Sequence, residues 1–183
     1  KGALSEEQFK TFKPSICNRL DRNTEGLVLA AKDAATLREL NRLIRENRIQ
    51  KTYLCVLTAT PPKQTDILHA YHWKDAKTNT VTISDHPKAG YREIITEYRV
   101  LQQQNGLCLV EITLHTGRTH QIRAHMAHVH TPLAGDSKYG DRRKNESLHL
   151  KHQLLCAYQL QFHPEADSCL AYLNGKTVTA PLP

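Results

Sequence analysis

The chain has 183 residues, of which 39% are hydrophobic and 23% charged, enough apolar material for one sizeable core and too much for a disordered protein. The formal net charge is +7, which favours acidic partners. No apolar run approaches the ~20 residues of a membrane helix and no basic leader with a cleavage site opens the chain, so a cytoplasmic protein off the membrane is expected.

In chain order, the apolar run GLVLAAK (26–32) reads as a buried strand, and Asp33 can cap a helix over 34–47. In that helix Leu37, Leu40 and Ile44 share one face, while Arg38, Arg42 and Arg45 point outward. KTYLCVLTA (51–59) is rich in β-branched and aromatic residues and stops at Pro61-Pro62, which predicts a strand. Residues 68–73 and 80–84 can pair around DAKTN. Residues 94–102 and 107–115 flank Asn105-Gly106, the signature of a tight hairpin. A helix is expected over 119–130 with Ile122, Met126 and Val129 on one face, then strands over 154–162 and 177–178. There is no repeat. The fold class is α+β, with a mixed, mainly antiparallel sheet and flanking helices.

Charge is unevenly placed. Residues 1–51 hold eleven Lys/Arg against seven Asp/Glu, residues 117–151 hold seven against three, and the stretch between them is balanced. Two basic blocks that meet in a fold make a surface for polyanions, nucleic acid above all; taken singly they are ordinary solvated faces. The five cysteines are scattered and never in a C-x-x-C pair, which fits reduced thiols.

Three segments are candidates for chemistry, one of them the strand KTYL with its tyrosine, Tyr53. NRLDR places Asp21 between Arg19 and Arg22, and a carboxylate among guanidiniums is either a solvated ion pair or a reactive anion. TGRTHQIRAHMAH compresses Arg118, His120, Gln121 and Arg123 into six positions at a strand end, a donor cluster suited to phosphate or carboxylate. The histidines there lack the spacing and the accompanying carboxylate or thiolate of a zinc site, so no metal is expected. Phosphate-binding and dinucleotide-binding glycine loops and the nucleophile elbow are absent from the sequence.

Taken together, these segments resemble the RluA/RluC/RluD family of RNA pseudouridine synthases. NRLDRNTEGLVLAAK is similar to the family's H-R-L-D-R-x-T-S-G-L-L-L-x-A-K, and KTYLCVL to its K-x-Y-x-A-x-V strand. TGRTHQIRAHMAHVHTPLAGDSKYG follows T-G-R-x-H-Q-I-R-x-H-L-x-x-x-G-x-P-(I/V)-x-G-D-x-x-Y-G almost position by position. LLCAYQLQFHPE and the closing TAPLP are similar to the family's last segments, so the likeness runs from about residue 16 to 183.

The resemblance implies a single catalytic domain over 1–183 that isomerises uridine in structured RNA, with large-subunit ribosomal RNA favoured over transfer RNA. A non-catalytic RNA-binding module is the alternative. It implies Asp21 as the catalytic aspartate, Tyr53 stacking on the uracil, Arg123 paired with Asp21, and Leu155 and Arg19 in the substrate pocket. Arg22, Arg118, His120, Gln121 and Lys138 are expected around it as RNA contacts. No cofactor is needed, and a monomer is expected. Asn18 and Cys156 stand where the family carries histidines, and neither is the nucleophile. The family's earlier Lys-Pro-x-Gly strand and S4 domain have no counterpart here, which reads as an N-terminal truncation.

Overall fold

The structure is a computed structural model and describes residues 12–181. The opening KGALSEEQFK and the last two residues of TAPLP lie outside that range. Its frame is one eight-stranded sheet. The central path runs β10 (Thr177–Thr179), β9 (Leu155–Phe162), β4 (Ile49–Leu57), β8 (Leu107–Leu114), β7 (Arg92–Gln104), β5 (Thr65–Asp75), β6 (Thr80–Ser84), all antiparallel. β2 (Glu25–Gly26) adds to the outer side of β9 as a parallel partner, and β1 (Ser15–Ile16) pairs β3 (Ala30–Ala31) separately. The expected α+β class and mainly antiparallel sheet are what the chain builds.

The hairpin between β7 and β8 turns through Asn105 and Gly106, both with positive φ (52° and 76°), as a two-residue turn matched to strand twist requires. Helix α1 (Ala34–Arg45) begins at Asp33, whose carboxylate accepts the Thr36 N–H at 2.8 Å. It ends two residues short of the sequence expectation because Asn47 adopts φ 55°. Helix α2 (Gln121–His128) is likewise shorter than 119–130, since His120 and His130 at its two ends are both left-handed. A further short helix, α3 (Arg142–Ser147), is capped by Asp141.

The run over 26–32 is not a buried strand. Only the two-residue ends β2 and β3 are extended in ladders, Val28 is 48% exposed, and Ala31 alone is fully buried. Gly26 explains the break. Its φ is 109° and a Cβ there would lie 2.2 Å from the Ala157 carbonyl oxygen, so the chain meets β9 side-on and then leaves it.

Alternate residues of β4 divide one face of the sheet into three zones. Ile49 joins Leu40, Leu43, Leu160 and Phe162 under α1. Cys55 and Leu57 join Tyr98, Val110, Ile112, Ile122 and Met126 under α2. Each fully buried aliphatic side chain here contributes about 2 kcal/mol of apolar burial. Between the two cores, Lys51 and Tyr53 of the same face open into a cleft.

Candidate active site

Asp21 reaches the cleft on a turn that its own segment does not stabilise alone. The Thr24 N–H returns to the Asp21 carbonyl at 3.0 Å, with Asn23 left-handed at φ 64°. Buried Gln153 donates to the Arg22 carbonyl at 2.6 Å and to Thr24 Oγ1 at 3.2 Å, and Asn23 pairs with His152. Upstream, the Asn18 side chain accepts the Leu29 N–H at 2.8 Å. Asn18 thus serves as a backbone acceptor where the family carries histidine. Cys156, the other departure, is a buried thiol on β9 opposite Leu54, its pKa pushed up by burial.

Arg123 comes from the third position of α2. The start of that helix is set by Gln121, whose amide oxygen accepts the Thr116 hydroxyl and the Arg118 N–H, each at 3.0 Å. Its amide nitrogen donates to the Ile95 carbonyl and to Thr96. Gln121 is 2% exposed, so its hydrogen-bonding groups are taken up inside the protein although an RNA contact was expected of it.

The Arg123 guanidinium is shared between two aspartates. Nε and Nη2 donate to Asp136 at 2.7 and 2.9 Å, while Nη1 stands 3.5 Å from Asp21 Oδ2. Burial works against the arginine's charge; the bonds and charge of Asp136, then the charge of Asp21, more than offset it, and its pKa is raised. Burial likewise opposes ionisation of Asp136, yet the Arg123 bonds and the N–H groups of Tyr139 and Lys138 hold its pKa below the ordinary carboxylate value.

Tyr139 faces this pair, with the guanidinium carbon 5.3 Å from its ring centre. Its hydroxyl accepts the Val81 N–H at 3.0 Å and lies 2.9 Å from His120 Nδ1. Burial keeps His120 below its usual pKa, with Arg123 and Lys138 adding and Asp21 opposing. Tyr53 enters from β4. Burial first, and the charge of Asp21 second, push its hydroxyl up to about 12, so it is a phenol and not a phenolate at neutral pH.

The cleft encloses about 430 Å³. Asp21, Tyr53, Arg123, Leu155 and Arg19 all line it, as do Arg22, Arg118, His120 and Gln121. Lys138 is not on its wall: its ammonium donates to the Asn79 carbonyl at 2.5 Å, pinning the β5–β6 hairpin at the rim. Lys51, Lys74 and Asn79 line the cleft without having been singled out by the sequence, nor were Asp136 and Tyr139 behind it. Among the described residues no three His, Cys, Asp or Glu side chains cluster as a metal site. His125 bonds Thr96 and His128 bonds Asp85 instead.

The sequence profile of the family described as RNA pseudouridylate synthase matches residues 1–128. An uncharacterized RNA pseudouridine synthase of Chloroflexus aurantiacus is 35% identical over 173 residues, which are 94% of this chain and 51% of that protein. The ribosomal large subunit pseudouridine synthase C of Buchnera aphidicola subsp. Baizongia pistaciae is 33% identical, covering 96% of this chain and 57% of its own. The chain thus spans about half the length of the curated relatives it matches. Among solved structures, human RNA pseudouridylate synthase domain containing 1 superposes with a TM-score of 0.76 at 23% identity, over 96% of this chain and 72% of that one, a likeness of fold.

Proposed function

The chain belongs to the RNA pseudouridylate synthase family, and from that premise we propose that it converts uridine in structured RNA to pseudouridine with Asp21 as the reacting carboxylate. The observation that carries the reading is the meeting of Asp21, Arg123 and Tyr53 in one cleft between the two helix-covered cores. Its volume falls in the range of small-ligand sites and accommodates one nucleotide turned out of its stack.

The reaction breaks the N1–C1′ bond, rotates the uracil and rejoins it through C5; C5 then loses its proton and N1 gains one. Asp21 either adds to the sugar or takes its 2′ proton, while the Arg123 charge beside it favours the anion. Tyr53 supplies a flat face for the detached base and a protonated hydroxyl at its edge. Leu155, itself buried, gives the cleft an apolar wall. Arg19, Arg22, Arg118 and His120 line the same cleft and would meet the phosphates on either side of the flipped nucleotide.

Large-subunit ribosomal RNA is the favoured target, since synthases named for it are among the relatives; transfer RNA is the second choice. Residues 1–183 act as a single catalytic domain of a cytoplasmic, monomeric enzyme. No helix among the described residues is long and apolar enough to cross a membrane. The test is tritium release from RNA carrying 5-tritiated uridine, with ribosomal and transfer RNA transcripts compared on the full-length protein. Release from the ribosomal transcript is expected. Absence of release from both would overturn the reading.

A further inference from the structure

Asp136 is an unusual second carboxylate for a site whose chemistry needs one. Its side chain is 0% exposed. Oδ2 accepts Arg123 Nε at 2.7 Å, and Oδ1 accepts Arg123 Nη2 at 2.9 Å together with the N–H groups of Lys138 (2.8 Å) and Tyr139 (3.0 Å). The backbone around it is fixed as firmly. Gly135 has φ 78°, and a Cβ there would fall 1.9 Å from the His152 carbonyl oxygen. Buried Asn145 accepts the Gly135 N–H at 2.7 Å and donates to the Asp136 carbonyl at 3.0 Å.

Asp21 receives what is left. The 3.5 Å separation from Nη1 is an ion-pair distance, longer than the about 2.7–2.9 Å of a charge-assisted hydrogen bond. Asp21 is also 23% exposed, against 0% for Asp136. A guanidinium offers five donors in a rigid fork on a flexible stem, and on that stem it can grip either carboxylate edge-on. Gripped by Arg123 in the way Asp136 is, Asp21 would have both oxygens tied up in charge-assisted hydrogen bonds and would be a weaker nucleophile or base toward a substrate.

We infer that Asp136 is a positioning residue: it holds the Arg123 fork edge-on so that Asp21 keeps a neighbouring positive charge without being capped by it. The inference deepens the isomerase reading and rests on it for its catalytic meaning. Its structural half stands alone, because which aspartate anchors Arg123 is measurable without RNA.

The experiment has two arms. The first follows exchange of the Arg123 Nε–H with water by nitrogen-15 NMR in the parent, Asp136→Asn and Asp21→Asn proteins. Slow exchange is expected to survive Asp21→Asn within about twofold and to be lost by at least about tenfold in Asp136→Asn. Loss in Asp21→Asn assigns the anchor to Asp21 and overturns the inference, even where Asp136→Asn fails to fold. The second arm measures single-turnover rate and RNA affinity. Asp136→Asn is expected to slow chemistry about 100-fold, the scale of an ångström's misplacement, with affinity held within about twofold. Added to Arg123→Lys, it should slow the reaction no more than about threefold further, since it acts through Arg123. Fully additive losses would make Asp136 a stability residue and overturn the positioning role. A parent protein that turns over no RNA counts against the isomerase reading, and the first arm still decides the anchor.

Discussion

Asp21 and Asp136 approach Arg123 from two turns that are built in opposite ways. The turn after Asp21 exposes Arg22 and Asn23, and the side chains of Gln153 and His152 hold it from a distant part of the chain. The turn after Gly135 buries its carboxylate and is held from within, by its own N–H groups and by Asn145 nine residues on. Both lean on the same wall, since Gly26 touches the Ala157 backbone and Gly135 the His152 carbonyl. If Asp21 meets substrate as proposed, it needs one open side, and its order then comes from outside its own segment. A carboxylate that only orients another group can be sealed.

The largest expected effect breaks this comparison on the open side. Asp21→Asn is nearly isosteric and removes only the reactive anion, so turnover should fall by more than about 10³-fold while RNA affinity stays within a few-fold. Single-turnover assays beside filter binding read both quantities. Comparable product from variant and parent would sink the mechanism.

The wall itself gives the next effect. A Cβ at Gly135 would meet backbone at 1.9 Å and one at Gly26 at 2.2 Å, both at positive φ. Each Gly→Ala change should therefore destabilise the protein by about 2–3 kcal/mol, read by chemical denaturation. They should differ in what else they do. Gly26→Ala displaces the Asp21 turn and should lower turnover in the fraction that stays folded. Gly135→Ala should in addition release the Arg123 Nε–H. Identical behaviour would mean that the two turns are not separate devices.

How far the sequence carried this picture depends on the range of the interactions. The hairpin at Asn105-Gly106 and the Asp33 cap were legible because their causes lie within four residues. The run over 26–32 was misread because apolar residues alone do not say whether a strand has neighbours on both sides. Here Gly26 docks on β9 and the chain then departs. Asp21, Tyr53 and Arg123 came forward through a family likeness, and no local pattern would have joined them. Asp136 and Tyr139 sat unremarked in GDSKYG, since a carboxylate's importance here lies in a side chain thirteen residues away and buried with it. Gln121 and Lys138 show the converse limit. A sequence counts donors, but only the fold says that these two are turned onto Ile95, Thr96 and Asn79.

The helix that carries Arg123 between the two turns has its own titrating group. His125 is 1% exposed and bonded to Thr96. Burial first, then the neighbouring His128 and His69, with Asp85 opposing, push its pKa down to about 4. In the unfolded chain a histidine titrates near about 6.5, so between those values the unfolded state binds more protons. The stability from burying neutral His125 is thus full above about pH 6.5 and is lost as the pH falls towards about 4. Denaturation near pH 7 and about pH 4.5 should show the parent losing about 2 kcal/mol more than His125→Gln. An equal loss in both would place the acid sensitivity elsewhere than on this helix.

The smallest effect sharpens the comparison through salt. Arg22 on the open turn and Arg118 at the cleft mouth are both exposed, and neither forms an ion pair among the described residues. Each, if it meets a phosphate, contributes about 0.7–0.9 to the slope of log affinity against log salt. Arg22→Gln and Arg118→Gln should each remove that much and weaken binding on every transcript alike. Lys138 belongs to the sealed turn, and its ammonium already donates to the Asn79 carbonyl. Its replacement by Gln should change the slope by less than half as much. Lys63, held by Asp66 at 3.0 Å in the charge-balanced middle of the chain, should change it by nothing measurable. The measurement is RNA affinity across a salt series for the four variants. Equal slopes from Arg22, Lys138 and Lys63 would mean that the basic blocks are a general solvated surface. The open turn would then keep the role proposed for Asp21 but lose the one proposed for it in holding RNA.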